Sequence, residues 1–69
     1  DYSLLIGLIK RVFGSQKDFA KAMGWSETAL SLKLNNIQNW KQDSITKASN
    51  LLGIPHVEIG IYFFNVEVQ

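Results

Sequence analysis

Residues 16–35, QKDFAKAMGWSETALSLKLN, constrain the fold of this 69-residue chain more than any other segment. A serine precedes each of two short apolar-periodic runs, Ser15 before the first and Ser26 before the second, and serine is a favoured helix start. Gly24 separates the runs and is typical of a helix end. Two short helices joined by so tight a turn must cross at a steep angle, which leaves the outer face of the second helix free.

The apolar positions of these two runs support the same arrangement. A small residue, Ala20, stands where we expect the helices to cross, and larger apolar residues flank it on both sides of the turn. These flanking positions are Phe19, Met23, Leu30 and Leu34. This is the geometry of a helix-turn-helix whose second helix enters a groove of DNA.

The remaining sequence predicts further short helices. Apolar residues recur at helical spacing before and after the central segment, and glycine or proline marks several of the ends. A polar loop, residues 35–39, follows the central segment, and we expect Trp40 to close it onto the core. The tail alternates at Val66 and Val68, which favours an extended segment there. The predicted helices cover residues 2–12, 16–23, 27–34, 42–52 and 56–63.

Composition limits the class of protein. The chain contains no cysteine, so neither disulfides nor thiolate metal sites support it, which is compatible with a cytoplasmic location. Hydrophobic residues make up 46% of the chain, which is ample for a core, and no apolar run approaches the ~18 residues of a membrane span. We therefore expect one small all-α domain over residues 1–69.

Charge is unevenly distributed although the formal net charge is only +1. Between Lys10 and Lys47 there are seven basic and three acidic residues, an excess of four, whereas the other acidic residues lie near the ends. An electropositive middle suits a surface that faces phosphates. Ordinary solvation of a small surface by lysine and arginine explains the pattern equally well.

The pattern from Gln16 through Ile54 resembles the lambda-repressor-like helix-turn-helix superfamily, which includes phage repressors and Cro proteins. More narrowly, FGSQKDFAKAMG, LSLKLNN, Trp40, LLGI and IYFF resemble small Cro-like and antirepressor switch proteins of temperate phages of Gram-positive bacteria. The resemblance covers roughly residues 4–68. It implies a compact domain of four to five helices with a central helix-turn-helix, acting in the cytoplasm of a bacterial host.

The resemblance also implies roles for particular residues. The positions that meet base edges in such proteins are Glu27, Thr28 and Ser31, and those that hold the DNA backbone are Gln16, Asn35, Gln38 and Lys41. Helix geometry agrees, because a turn of 100° per residue with Leu30 and Leu34 inward places residues 28, 31, 32 and 35 on the outer half. Leu32 joins the base-reading set on this ground, and Lys33 extends to a phosphate from the margin of the core.

Two of these residues depart from the usual pattern. The carboxylate of Glu27 accepts hydrogen bonds from a cytosine amino group but repels phosphates, and an acid in a first helical turn is also favourable for the helix alone. Leu32 is expected to point almost directly away from the core. There it packs on a thymine methyl group, inserts into another protein, or is simply exposed.

Aromatic residues elsewhere have structural interpretations. We expect Trp25 and Trp40 to anchor the core and the loop rather than to stack on bases. The aromatic run Tyr62, Phe63 and Phe64 either folds back over the core or forms a subunit interface, and these two roles are compatible. An extended tail with Val66 and Val68 offers backbone groups that could pair across a dimer.

Two functions remain open on the sequence. The first is a sequence-specific regulator of a phage lysis-lysogeny switch that binds double-stranded operator DNA with its third helix, as a monomer or a homodimer. The alternative is an antirepressor that binds the partner phage repressor and masks its DNA-binding surface, for which Glu27 and Leu32 are the interface candidates on the third helix. No residues form a plausible catalytic, metal-binding or nucleotide-binding arrangement. We therefore expect no enzyme activity, cofactor, small-molecule substrate or membrane association.

Overall fold

Short helices follow one another along the computed structural model, which describes residues 1–64. They are α1 (Ser3–Phe13), α2 (Gln16–Met23), α3 (Glu27–Leu34), α4 (Gln42–Leu52), a 3₁₀ turn (His56–Glu58) and α5 (Ile59–Phe63). No strand occurs in these 64 residues, and the predicted all-α class is confirmed. The first helix begins and ends one residue later than expected, and the segment expected as one helix over 56–63 divides into the 3₁₀ turn and α5.

The two serine start signals act as helix caps. The side-chain oxygen of Ser15 accepts a hydrogen bond from the backbone N–H of Asp18 at 3.1 Å. The side-chain oxygen of Ser26 accepts one from the N–H of Ala29, also at 3.1 Å. Each bond satisfies a backbone donor that has no partner inside its own helix, so the starts of α2 and α3 are encoded locally.

Gly24 makes the tight turn between α2 and α3. Its backbone is left-handed, with φ +81°, a conformation that glycine adopts without the steric penalty of a Cβ atom. The N–H of Trp25 donates to the carbonyl of Ala20 at 2.8 Å, which closes the end of α2. Only two residues, Trp25 and Ser26, then separate Gly24 from α3, and this turn sets the direction in which α3 leaves α2.

The core draws on all five helices. The helices α1 to α4 each bury residues three or four positions apart, so one stripe of each faces inward. The largest fully buried side chains come from α1 to α4 and are Phe19, Leu5, Ile9, Leu30 and Ile45. α5 contributes Phe63.

Trp40 ties the polar loop to this core, as predicted. Its ring lies 5.4 Å from that of Trp25 and 5.0 Å from that of Phe63, both edge-on, and 6.3 Å from that of Tyr2. Edge-to-face contacts at these distances are favourable. Trp40 therefore joins the start of α1, the α2–α3 turn and α5 through a single side chain.

The aromatic run at the end of α5 is divided between the core and the surface. Phe63 is 4% exposed, Tyr62 is half-buried, and Phe64 is 56% exposed. Phe63 is therefore wrong as an interface candidate, because its ring packs against Trp40 inside the molecule. The other tail candidates, Val66 and Val68, and the predicted extended segment lie outside the described residues.

Candidate functional site on the third helix

A shallow depression lies where the outer face of α3 meets the start of α2. Its lining residues are Gln16, Glu27, Thr28, Ser31 and Leu32. These are the four side chains predicted to read bases and the glutamine predicted to touch a phosphate. The structure therefore brings this part of the predicted site together, while the DNA roles assigned to it stay predictions.

The depression has an acidic character. The only charged side chain that lines it is the carboxylate of Glu27, which is exposed in the first turn of α3. The other lining groups are the hydroxyls of Thr28 and Ser31, the amide of Gln16 and the aliphatic side chain of Leu32. Such a set can accept a cationic or hydrogen-bond-donating group and can contact an apolar one beside it.

Leu32 corrects the sequence prediction. It was expected to point almost directly away from the core, but its side chain is half-buried and lies beside Gln16 in the depression. The prediction considered α3 alone, whereas Leu32 lines a depression together with Gln16 from the first turn of α2. Leu32 is thus an apolar wall of a concave surface, not an isolated exposed leucine.

The side chain of Lys33 makes contacts within the protein. Its ammonium nitrogen lies 4.5 Å from the centre of the Trp25 ring and donates to the side-chain oxygen of Gln38 at 3.2 Å. A cation over an indole face is attracted by the ring, and this attraction holds the lysine against the protein. Lys33 and Gln38, both predicted to contact phosphates, therefore contact each other, and Lys33 also contacts Trp25.

The side chain of Asn35 also forms hydrogen bonds within the protein. Its side-chain amide donates to the backbone carbonyl of Ser31 at 2.8 Å and to the Ser31 hydroxyl at 3.2 Å. These bonds hold the end of α3 together with the backbone N–H of Asn35, which donates to the same Ser31 carbonyl at 3.0 Å. Asn35 must give up at least one of these contacts before its amide nitrogen can face a phosphate.

A second, larger cleft lies between the α3–α4 loop and the start of α4. It is lined by Trp25, Lys33, Gln38, Asn39, Lys41, Asp43 and Ser44. Three predicted phosphate contacts, Lys33, Gln38 and Lys41, thus belong to this cleft and not to the depression on α3. Lys41 is exposed and is the N-cap residue of α4, with no side-chain cap bond.

Sequence reasoning missed the other polar residues of this cleft, Asn39, Asp43 and Ser44. The sequence contained a partial signal for them. Lys41 immediately precedes a predicted helix, and the first backbone N–H groups of a helix are free to bind polar groups. The contact between Lys33 and Trp25 joins residues eight positions apart. No helical periodicity predicts it, because Trp25 lies in the turn before α3.

The sequence of this chain matches a known protein family. A family model described as "Protein of unknown function (DUF739)" matches residues 1–66. The chain belongs to this family. No match was found among curated proteins.

One solved structure is closely similar over the whole chain. It is the solution structure of the modulator of repression (MOR) of the temperate bacteriophage TP901-1 from Lactococcus lactis. The two chains are 48% identical, the alignment covers 100% of this chain and 93% of that one, and the TM-score is 0.83. The DUF739 chain is therefore similar in sequence and fold to a small phage regulator. Its assignment to the lambda-repressor-like superfamily stays a prediction.

Three observations bear on other classes of function. Within residues 1–64, no helix is both long and apolar enough to cross a membrane. The same residues contain no group of three or more histidine, cysteine, aspartate or glutamate side chains placed to hold a metal ion. The protein to which the chain is similar is named for a regulatory role.

Proposed function

We propose that this protein regulates the lysis-lysogeny switch of a temperate phage by binding the partner repressor and masking the repressor's DNA-binding surface. The similar protein is named a modulator of repression, which supports a role directed at a repressor. The protein acts in the cytoplasm of the bacterial host, where repressor and operator meet. It performs no chemistry, since occupancy of the repressor is sufficient.

The observation that carries this proposal is the charge of the depression on α3. A surface evolved to meet DNA is expected to present cations, because phosphate contacts dominate affinity for DNA. The single charged side chain lining this depression is instead the carboxylate of Glu27. A basic surface that normally contacts phosphates is the natural complement of such a carboxylate.

The depression also has the shape and chemistry for a protein side chain. A lysine or arginine of the repressor would place its charged end near Glu27, while the hydroxyls of Thr28 and Ser31 accept its remaining hydrogen bonds. Leu32 would contact the aliphatic part of the same side chain or a neighbouring apolar residue. Concave sites that combine an apolar wall with a few polar groups are typical centres of binding energy.

The internal hydrogen bonds of the predicted phosphate contacts also favour repressor binding over DNA binding. DNA binding through α3 would have to compete with the bonds of Lys33 to Gln38 and of Asn35 to Ser31. Binding of a repressor in the depression leaves these bonds intact. We therefore place repressor binding before DNA binding.

The test is a calorimetric titration of this protein against the repressor encoded by the same phage, with Glu27→Lys as the variant. We expect the variant to weaken binding at least tenfold, equivalent to about 1.4 kcal/mol. Asp18→Lys is the matched control, since Asp18 is also exposed in a first helical turn but does not line the depression. This control should bind within about twofold of the wild type.

A second variant, Leu32→Ala, tests the apolar wall without changing charge. It should also bind the repressor more weakly. In a gel-shift assay, the repressor mixed with this variant should therefore bind its operator as well as the repressor alone does. Unchanged affinity in both Glu27→Lys and Leu32→Ala would exclude the α3 depression as the interface. Equal weakening by Asp18→Lys would show that overall charge, not this site, governs the complex.

A second candidate function is direct binding of operator DNA. The observation that favours it is the cleft at the start of α4, where Lys33 and Lys41 lie beside Gln38. In this function α3 enters the major groove, and a homodimer reads half-sites about one helical turn apart. The cleft then meets the phosphate backbone.

Titration against a pool of short duplexes at low and moderate salt distinguishes the two functions. An operator-binding regulator retains selected sequences, loses base preference in Thr28→Ala and Ser31→Ala, and loses affinity for every sequence in Lys41→Ala. Weak and unselective retention, together with a stable repressor complex, excludes operator binding as the principal activity.

A further inference from the structure

A small pocket lies between α4 and the segment that follows it, distinct from the depression on α3 and from the cleft at the start of α4. Four polar residues of α4 line it and are spaced so that they form one stripe of the helix: Gln42, Thr46, Ser49 and Asn50. The remaining lining residues are Ile54, His56 and Ile59. None of these residues lines either of the other two sites.

Ser49 is the buried member of this polar stripe. It is 4% exposed, whereas Gln42, Thr46 and Asn50 are exposed. Within residues 1–64, its buried hydroxyl oxygen has no hydrogen-bond partner. A buried hydroxyl without a partner costs free energy, and such groups are rare in folded proteins. Because χ1 has alternative staggered rotamers, the hydroxyl of this lining residue can turn toward a group that enters the pocket.

Thr46, three residues before Ser49, has a complementary free group. Its hydroxyl donates to the backbone carbonyl of Gln42 at 3.0 Å, which uses its only donor. The Thr46 oxygen therefore offers lone pairs to a ligand, while the Ser49 hydroxyl offers a proton. Residues three apart on a helix are neighbours, so one small ligand can contact both hydroxyls.

The charge and size of the pocket limit the class of ligand. Among residues 1–64, its lining contains no aspartate, glutamate, lysine or arginine. A carboxylate or an ammonium group would lose part of its hydration there without gaining a counter-ion. The volume of about 180 Å³ is below the ~300–1,000 Å³ of sites for drug-sized ligands. The pocket therefore suits a single small, uncharged group that both donates and accepts hydrogen bonds.

We propose that this pocket binds a primary carboxamide, the group that asparagine and glutamine side chains carry. The Ser49 hydroxyl donates to the carbonyl oxygen of the carboxamide, and the carboxamide N–H donates to the Thr46 oxygen. Ile54 and Ile59 contact the aliphatic carbons next to the amide. A carboxylate of the same shape offers only acceptors, so it meets the lone pairs of Thr46 with lone pairs of its own.

Titration of the full chain with propionamide, followed in ¹H–¹⁵N NMR spectra, tests the proposal. We expect saturable shifts of the backbone amide signals of Ser49, Asn50 and His56, in the millimolar range because the ligand has so few atoms. Propionate has nearly the same shape but carries a charge, so it is the matched control ligand and should bind far more weakly. Equal affinity for propionamide and propionate would overturn the proposal.

Two substitutions test the two hydroxyls separately. Ser49→Ala removes the donor and Thr46→Val removes the acceptor, and each should weaken propionamide binding about fivefold or more because one hydrogen bond is lost. Ser44→Ala is the matched control, since Ser44 lies on the same helix but lines the other cleft. It should leave the affinity unchanged. Wild-type affinity in both Ser49→Ala and Thr46→Val would overturn the proposal.

Thermal unfolding distinguishes ligand binding by Ser49 from a structural role. Ser49→Ala removes a hydroxyl that has no partner within residues 1–64, so the variant should unfold at the same temperature as the wild type or higher. A clearly lower midpoint would overturn the proposal, since the hydroxyl would then stabilise the fold without a ligand. Thr46 is exposed, so the binding test with Thr46→Val does not depend on a change in the core.

A carboxamide can come from a protein side chain or from a free small molecule. N-acetyl-L-glutamine methylamide represents the first source and L-glutamine the second, and both carry the same carboxamide. Tighter binding of the blocked glutamine would support a protein side chain as the ligand, and tighter binding of free glutamine would support a small molecule. Repressor binding through α3 should be unchanged in Ser49→Ala, so failure of this proposal is distinguishable from failure of the proposed function.

Discussion

Replacing each of two adjacent phenylalanines by leucine tests how α5 closes the core. Phe63 is 4% exposed and its ring meets that of Trp40 edge-on at 5.0 Å, whereas Phe64 is 56% exposed. The substitutions Phe63→Leu and Phe64→Leu remove the same atoms from neighbouring positions. Any difference in stability between the two variants therefore reports packing and not composition.

The magnitude follows from the contacts at each position. Loss of an edge-to-face aromatic pair costs about 0.5–1.5 kcal/mol, and the altered volume in the core adds up to about 1.5 kcal/mol. We expect Phe63→Leu to lower the free energy of unfolding by about 1–2.5 kcal/mol. At an exposed position such as Phe64, a substitution of this kind changes it by about 0.5 kcal/mol or less. The whole 69-residue chain is expected to have about 3–10 kcal/mol of stability, so the difference is measurable.

Urea denaturation followed by tryptophan fluorescence is the appropriate assay. Trp40 contacts Phe63 directly, so its emission reports the loss of this part of the core. The midpoint of thermal unfolding should fall by about 4–8 °C for each kcal/mol lost in a chain of this size. Equal losses in the two variants, or a larger loss in Phe64→Leu, would refute the assignment of Phe63 to the core and of Phe64 to the surface.

Three further substitutions test the local devices that position α3. Ser26→Ala should lower the free energy of unfolding, measured in urea, by about 1 kcal/mol. Ser26→Asp keeps a capping oxygen and should have a stability close to that of the wild type. Equal losses of stability in the two variants would contradict the cap. Gly24→Ala should lower the free energy of unfolding by about 1–2 kcal/mol because φ at this position is +81°, and Gly24→Asn should lower it by less. An alanine variant as stable as the wild type would show that the turn can change conformation. Lys33→Met keeps the aliphatic stem but removes the cation from the Trp25 ring, for an expected loss of about 0.5–1 kcal/mol in thermal unfolding. Lys41→Met is its control, and a similar loss there would argue against the contact.

The elements of the fold were predictable because their signals are local. Ser15 and Ser26 accept hydrogen bonds from backbone groups three residues away, and Gly24 adopts the backbone conformation that ends α2. A hydrogen bond across three residues does not depend on the remainder of the chain. Apolar periodicity likewise identified the buried residues Phe19 and Met23 of α2 and Leu30 and Leu34 of α3, since it depends on helix geometry alone.

The site was predictable only in part. The lining of the depression follows from the spacing of residues along α3, apart from Gln16, which the family resemblance supplied. The exposure of Leu32 was overestimated because the prediction considered α3 alone, without the neighbouring helices. The division of the predicted phosphate contacts between a depression and a separate cleft was not predicted either, because the cleft joins the α3–α4 loop to α4.

The sequence by itself therefore determined the starts and ends of α2, α3 and α4, the inward residues of α2 and α3, and the acidic character of the outer face of α3. Only the tertiary structure decided which side chains remain available to a partner. It placed Lys33 on Trp25, closed the loop with Trp40 and buried Phe63. The physical reason is the range of the interactions. Caps and periodicity act over three or four residues, whereas availability depends on packing between elements that meet only after the chain has folded.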